Sequence, residues 1–491
     1  MTAEILPWDL LARDRQLFLA HLRGEAKARP LLGRGWDDAA VAAAAEERRR
    51  RPLPHREALA KALRCEALRD PRAVVVVGSQ QPALAGGPLL SFAKAVGVLS
   101  LANRLEAAGA GPLVPVWWVA SEDHDLAEAG AVRIGAGRRG ADLLGPDPGD
   151  RRMLSRVPSP SLAAIAGDAG GSEFSCEALL DREWPEGASV GTAAAHLFRD
   201  LLGPRGLVVV EPQDVRPFAR AVFEKEIAEP GALGAAVREG NAAVRAAGFR
   251  PALDDPGGPL HFRVDPEGRR TRGGGTRADL DDLGNRLSSD VALRVLAQDA
   301  ALPVAAQVCG PAEVEYLAAL GPARSAVAGF TPCAVPRPGV TILERRVEEA
   351  LADLGADLPG LYRDGEKALR PAAARTGEED PLARETRRLR GVLEAAAGEP
   401  AQLAASVRSR LGRVRDGLED LAAASERAAA ERAGVGESRR RRVLDALLPD
   451  GVPQERRWAL LFFLLRHGNA LRERLVEELS VPGPGHRVIR V

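Results

Sequence analysis

Two short stretches of the 491-residue chain hold side chains whose types and spacing suit chemistry. The first is Gly78-Ser79-Gln80-Gln81-Pro82-Ala83-Leu84-Ala85-Gly86-Gly87-Pro88, with Lys94 a turn further on. Glycine-rich backbone entering a helix presents N–H groups to a phosphate or carboxylate, and Lys94 would add a point charge. The amides of Gln80 and Gln81 can read hydroxyls and carboxylates. The stretch matches neither GxxxxGK(S/T) nor GxGxxG, so a purely structural turn is the competing reading. The second stretch is Glu122-Asp123-His124-Asp125, three carboxylates around one imidazole. Mutual repulsion is expected to raise carboxylate pKa values there, and negative surroundings to raise that of His124. Either effect suits proton transfer, or a divalent cation held by Asp123 and Asp125. No second histidine stands at i+2 or i+4 and no cysteine is near, which argues against zinc. A solvated loop is the bland alternative.

Other reactive residues read as structural. Cys309 sits beside Gly310-Pro311 and Glu313 but has no histidine paired with it in sequence, so a small core residue is the preferred reading. His196, His261 and His467 are read the same way, and the run Arg439 to Arg442 as a solvated helix face or an intersubunit set of ion pairs.

The elements around the two stretches explain why they would converge. Ala73 to Val77 is a β-branched run suited to a strand buried on both faces, stopped by Gly78. Leu89 to Ala108 reads as a helix ended by Gly109-Ala110-Gly111, and Leu113 to Val119 as a second buried strand. Strand, glycine loop, helix, strand is the grammar of an open parallel sheet, whose ligands bind beyond the carboxyl ends of the strands. Both stretches fall at that edge and are predicted to face one crevice. Further strands are expected over Gly206 to Val210, Leu260 to Val264 (one arm of a hairpin) and Val304 to Val308, and a helix over Ser288 to Asp299. Cys309-Gly310-Pro311, leading into a helix with Glu313 and Tyr316, is a second strand–glycine–helix junction that approaches the same crevice.

Composition bounds the class. Hydrophobic content of 45% with 28% charged residues is that of a folded globular protein, and Lys+Arg 68 balances Asp+Glu 68. No global positive field exists for nucleic acid or an anionic membrane. Cys65, Cys176, Cys309 and Cys333 are scattered, which fits neither a zinc knuckle nor a disulfide framework and agrees with a reducing, cytoplasmic setting. No secretory signal pattern opens the chain, and the apolar run Trp458 to Leu465 is too short to span a bilayer.

Residues 1 to 70 read as a helical segment packed on a Rossmann-like α/β core over 71–370. A helical coiled-coil domain is expected over 371–445, and a C-terminal helix returning to the core over 446–491. Leu411, Val414, Leu418 and Leu421 form a heptad seam that continues through Ser425 and Ala428. Leu382, Leu389, Val392 and Ala396 form a similar stripe ended by Gly398-Glu399-Pro400. Two such arms make either an antiparallel hairpin or a dimerising coiled coil.

These motifs resemble the bacillithiol-biosynthesis cysteine-adding enzymes, the BshC family. VVVVGSQQPALAGGPLLSFAKA and VPVWWVASEDHD are similar to its glutamine loop and its acidic strand end. LSSDVALRVLAQD, VCGPAEVEY, TPCAVPRPGVTILE and LLPDGVPQERRWALLFFLLRHG follow in the family's order, so the likeness runs from about residue 70 to the end. Departures include Gly78-Ser79, Gly130, Val295, Ala312 and Ala319. The resemblance implies a Rossmann-like core with insertions, a coiled coil that pairs subunits, and a ligase joining cysteine to glucosaminyl-malate in the last step to bacillithiol. It implies catalysis by Glu122, Asp123, His124, Asp125 and Lys94. It implies substrate or nucleotide binding by Gln80, Gln81, Gly86, Gly87, Arg294, Gly310, Glu313, Tyr316 and Arg337. No ATP motif is visible, yet amide formation from a free carboxylate calls for activation, so ATP and Mg²⁺ are the expected cofactors. A nucleotide-dependent ligase or nucleotidyltransferase for another amino acid or acceptor, and a non-catalytic dimeric scaffold, are the competing functions.

Overall fold

Val74–Gln80 (β1) begins with four valines, which offer apolar surface to both faces of a sheet, and six of its seven residues are buried. Each fully buried valine contributes roughly 1.5–3 kcal/mol of transfer free energy. The strand does not stop at Gly78. It runs on to Gln80, because Gly78 lacks the Cβ that would stand 2.6 Å from Val98 Cγ2 and 3.3 Å from the Trp117 ring. Gly78 is therefore a point of close approach, and it carries Ser79 and Gln80 out to the sheet edge in extended form.

The computed structural model describes residues 4–135, 137–144, 150–161, 164–165, 187–369, 381–397, 404–432 and 437–491. Two compact units divide it: Met1–Thr341 with Glu455–Ile489, and Ile342–Gln454 with Arg490–Val491. Cys176 and the Gly398-Glu399-Pro400 break fall outside the described residues.

The first unit is built on a five-stranded parallel sheet. β1 lies beside Leu113–Val119 (β2), which lies beside Val208–Val210 (β3). On the other side of β1 lie Val304–Cys309 (β4) and then Cys333–Pro336 (β5). The spatial order third, second, first, fourth, fifth is that of a doubly wound α/β sheet, with its switch point between β1 and β4. Leu89–Ala107 (α1) follows β1 and packs on it and on β2, and Pro311–Ala319 (α2) follows β4. Such a crevice, beyond the carboxyl ends of β1 and β4, is where an open sheet takes its ligand.

Two parts of this unit depart from expectation. Leu287–Ser289 is a strand, and the helix begins only at Val291, because Asp290 caps it by accepting from the Leu293 amide. Leu287–Ser289 pairs with His261–Val264, which also pairs with Arg270–Arg272, so the expected hairpin arm is the centre of a three-stranded antiparallel sheet inserted between β3 and β4. The N-terminal segment is helical as read, but Glu4–Leu6 is a strand, antiparallel to His486–Arg490.

The second unit is helical. Pro381–Ala397 and Ala405–Arg432 pack on each other as a hairpin, with Arg387 Nη1 2.5 Å from Glu426 Oε1. Arg439 pairs with Asp353 at 3.4 Å and Arg440 with Glu366, so part of the arginine run forms ion pairs within this unit. Among the described residues no helix is long and apolar enough to cross a membrane.

Candidate active site at the sheet switch point

A cavity of about 460 Å³ opens beyond β1 and β4. Its floor is a charged cluster. Lys94, near the start of α1, is buried, and its ammonium donates to Ser79 O (2.8 Å), Gln80 Oε1 (2.9 Å) and Glu313 Oε2. Glu313 stands in the first turn of α2, where it also accepts from the Gly310 amide at 2.6 Å. Burial pushes the Lys94 pKa down, and Glu313 opposes that shift. Beside them Arg294 donates to Ser79 Oγ (2.8 Å) and Tyr316 Oη (3.2 Å). Burial, then the Glu313 carboxylate, pushes the Tyr316 phenol up, so it remains a neutral hydrogen-bonding group. Lys94 is thus the counter-ion of Glu313 within the floor, rather than a free charge at the loop.

The second loop splits by direction. Glu122 is turned into the protein, where Arg216 Nη2 (2.8 Å), the Ser289 amide (3.1 Å) and Ser289 Oγ (2.7 Å) donate to it. It anchors the inserted sheet to the end of β2 and is not a free base. Asp123 Oδ1 accepts from the amides of His124 (2.6 Å) and Asp125 (3.1 Å), and Asp125 Oδ1 caps the short helix Leu126–Gly130 through the Glu128 amide (2.8 Å). Among the described residues no three His, Cys, Asp or Glu side chains converge as a metal site. His124 lines the cavity. Its pKa is lowered, contrary to expectation, because burial and the Arg270 guanidinium outweigh Asp123 and Asp125. The upward carboxylate shift falls on Glu128, through burial first and then Asp123 and Asp125.

The predicted convergence of the loops is present: Gln81 Nε2 donates to Asp125 O at 3.0 Å. Gln80, Gln81, Lys94, Glu122, Asp123, His124, Arg294, Gly310, Glu313, Tyr316 and Arg337 all line the one cavity. Gly86, Gly87 and Asp125 do not. Gly86 and Gly87 have positive φ (83° and 69°), and a Cβ on Gly86 would stand 2.8 Å from Leu197 Cδ2. The Gly87 amide donates to Leu84 O and the Leu89 amide to Trp458 O, so this turn packs and does not cradle a phosphate. Arg337 faces the cavity, but its guanidinium is held by both oxygens of Glu455 (2.9 and 2.6 Å). Cys309 is fully buried, and burial pushes its thiol well up, which leaves it inert.

Sequence reasoning missed the opposite wall. Phe262, Arg270, Ser289 and Asp290 come from the inserted sheet and the helix after it, and Arg456 from the C-terminal segment. The one available signal was the turn after Val264, which implies a returning arm that contains Arg270.

A doubly wound sheet with a cavity lined by charged and polar side chains at its switch point is the arrangement of a Rossmann-like ligand-binding domain. The profile described as "Bacillithiol biosynthesis BshC, N-terminal Rossmann-like domain" matches residues 47–274 and 276–338, and that described as "Bacillithiol biosynthesis BshC, C-terminal coiled-coil domain" matches 340–491. The chain belongs to the BshC family of bacillithiol biosynthesis. Relatives named "Putative cysteine ligase BshC" include one from Thermus thermophilus, 31% identical over 82% of this chain and 85% of its own length. Another, from Heliobacterium modesticaldum, is 30% identical over 84% and 82%. A third, from Geobacillus thermodenitrificans, is 27% identical over 89% and 88%.

Proposed function

We propose that the chain joins L-cysteine to glucosaminyl-malate, forming the amide that completes bacillithiol. The observation that carries this reading is the cavity's division of labour. Arg294 has only neutral hydrogen-bond acceptors, Ser79 Oγ and Tyr316 Oη, so its charge is available to a substrate carboxylate. Arg456 stands at the lining without a side-chain hydrogen bond or ion pair to any described residue, a second cation for the two carboxylates of the malate group. Gln80 Nε2 and Gln81 Oε1, the amide groups not engaged by Lys94 and Asp125 O, would serve sugar hydroxyls, and His124 lines the same cavity. In the reaction the acceptor nitrogen bonds to the cysteine acyl carbon, the carboxylate oxygen departs on its activating group, and the nitrogen loses a proton. Holding both substrates in one cavity supplies proximity.

ATP with Mg²⁺ is the activator proposed, on chemical grounds. The Gly86-Gly87 turn does not fit a triphosphate, so no step is assigned to that turn. The test combines purified protein, cysteine, glucosaminyl-malate, ATP and Mg²⁺, read by mass spectrometry. Product that vanishes without ATP is the expected result. Full product without ATP refutes the nucleotide, and no product with any cysteine donor refutes the ligase.

We also propose a homodimer through the helical arms. Val407, Val414 and Leu421 recur every seven residues and are 49%, 49% and 45% exposed, an apolar stripe of heptad period. Sedimentation at micromolar concentration tests it, and a monomer there refutes it.

A further inference from the structure

Arg270 is a cavity residue with no role in the reading above, and its contacts determine what His124 can do. It is buried on the second arm of the inserted hairpin, with its guanidinium carbon 3.9 Å from the Phe262 ring centroid. Nη1 donates to Glu122 O at 2.8 Å and Nη2 to Ser289 O at 2.5 Å. Nη1 also lies 3.1 Å from His124 Nδ1. A guanidinium only donates, so Nδ1 must accept, and its lone pair is engaged. In a neutral imidazole with Nδ1 as acceptor the proton resides on Nε2.

We propose that Arg270 is a positioning residue that locks His124 as the neutral Nε2–H tautomer, making His124 a hydrogen-bond donor to a substrate oxygen in the cavity rather than a general base or a metal ligand. This deepens the ligase reading and rests on it only for the identity of that oxygen. Nε2 makes no hydrogen bond within the described protein, while the ring lines the cavity at 28% side-chain exposure. The charged groups around the ring are Arg270 from the hairpin, Arg151 from the preceding segment, and Asp123 and Asp125 from its own loop, with Asp123 Oδ1 3.9 Å from Nδ1. A proton on Nδ1 would point at the N–H of Arg270, so the arrangement disfavours both imidazolium and the Nδ1–H tautomer. A metal-bound histidine shows the reverse pattern, its second nitrogen donating to a carboxylate or carbonyl. An N–H aimed at an oxygen that gains negative charge during acyl transfer stabilises that charge without exchanging a proton.

The direct test is the nitrogen NMR spectrum of full-length protein labelled with ¹⁵N-histidine. The His124 signals are identified as those lost in His124→Gln, and its two nitrogens are told apart by their couplings to the ring protons. An acceptor-type Nδ1 with a protonated Nε2 at neutral pH is expected, and a protonated Nδ1 overturns the proposal. Arg270→Met is expected to yield a mixture of tautomers, and Arg270→Lys, which keeps a donor, to retain the single form. If neither variant folds, the wild-type spectrum alone decides. Turnover supplies the second arm: His124→Gln, whose amide can donate, should exceed His124→Leu by about tenfold, the scale of one partly preserved donor. Equal loss in both overturns the donor role. Wild-type protein that makes no product but shows the Nε2–H form refutes the ligase and leaves the tautomer lock standing.

Discussion

The Rossmann-like unit and the helical unit place charge and apolar surface in opposite positions. The first buries several ion pairs: Arg324 with Asp299, Arg337 with Glu455, Arg216 with Glu122, and Lys94 with Glu313. The second exposes its aliphatics, with Leu382 and Val392 more than half accessible on one arm and Val407 and Val414 nearly so on the other. Buried pairs gain little net stability over apolar packing, but losing one partner strands a charge, so they make an arrangement exclusive. Exposed aliphatics at seven-residue spacing do the reverse, offering an apolar surface on which a second helix could pack. The first unit is thus specified from within, and the second carries part of its apolar surface on the outside.

The strongest way to break that contrast is Lys94→Met. The substitution nearly preserves length but leaves Glu313, beside the Gly310 amide and Tyr316, without its cation. A loss of about 3–4 kcal/mol is expected in chemical denaturation, the low side for a broken buried pair because Glu313 keeps 16% of its side chain in solvent. Product formation should vanish with it. A loss below 1 kcal/mol would show that the floor tolerates a lone carboxylate.

Acid sharpens the same point. His486 is fully buried, Nε2 2.6 Å from Thr341 Oγ1, and burial brings its pKa down from 6.5 to about 4. Below pH 6.5 the unfolded chain takes up a proton there that the folded chain refuses until about 4, so stability falls as pH drops across that interval. The difference corresponds to about 3 kcal/mol. Glu455 has the carboxylate form of the effect. Burial alone would raise its pKa, but Arg337 and other donors bring it to about 2 from 4.5, so its contribution is complete above 4.5 and lost as pH falls towards 2. Because His486 is neutral above pH 4, Arg337 is the partner that matters over most of that range. Denaturation at pH 7, 5.5 and 4.5 should show a steady decline in the native protein and a flatter profile in His486→Gln. An unchanged slope in the variant would assign the decline elsewhere.

Glu122→Gln should have a smaller effect, about 2 kcal/mol, since the amide keeps part of the hydrogen bonding and Arg216 retains the carbonyls of Leu283, Gly284 and Leu287. Its signature is local: hydrogen exchange should quicken over Leu287–Ser289 and Arg270–Arg272, which Glu122 ties to the end of β2. Exchange unchanged there would mean the inserted sheet holds itself.

This anchoring also explains what was legible in the sequence. β2 and α1 were legible nearly to the residue, because continuous aliphatic runs and glycine punctuation are local signals. Gln80, Lys94, His124, Gly310 and Glu313 could be placed at one crevice because strand ends in a parallel sheet share an edge. The role of Lys94 could not be read, since Glu313 lies 219 residues away. Nor could the lowered pKa of His124, which depends on Arg270 at a separation of 146 residues. Loop composition suggested a negative surrounding, but the neighbour supplied by the insertion is positive. Local grammar places side chains at an edge, and distant partners decide their charge.

The helical arms test the other half of the comparison, with the smallest expected effect on folding. Val414 is about half exposed on Ala405–Arg432, so Val414→Glu should change the stability of a single chain by less than about 0.5 kcal/mol, as for other surface positions. If the Val407, Val414 and Leu421 stripe faces a second copy, the same substitution places a carboxylate in each of two facing seams, and the molecular mass in sedimentation should halve at micromolar concentration while the far-ultraviolet circular dichroism stays constant. Val407→Glu should repeat the result, and Arg415→Glu, off the stripe, should leave the mass unchanged. Loss of mass with loss of helix would instead mean that the stripe supports the hairpin formed with Pro381–Ala397. A constant mass in all three would mean that the exposed aliphatics are not covered by a second copy, and the helical unit would then be complete without one.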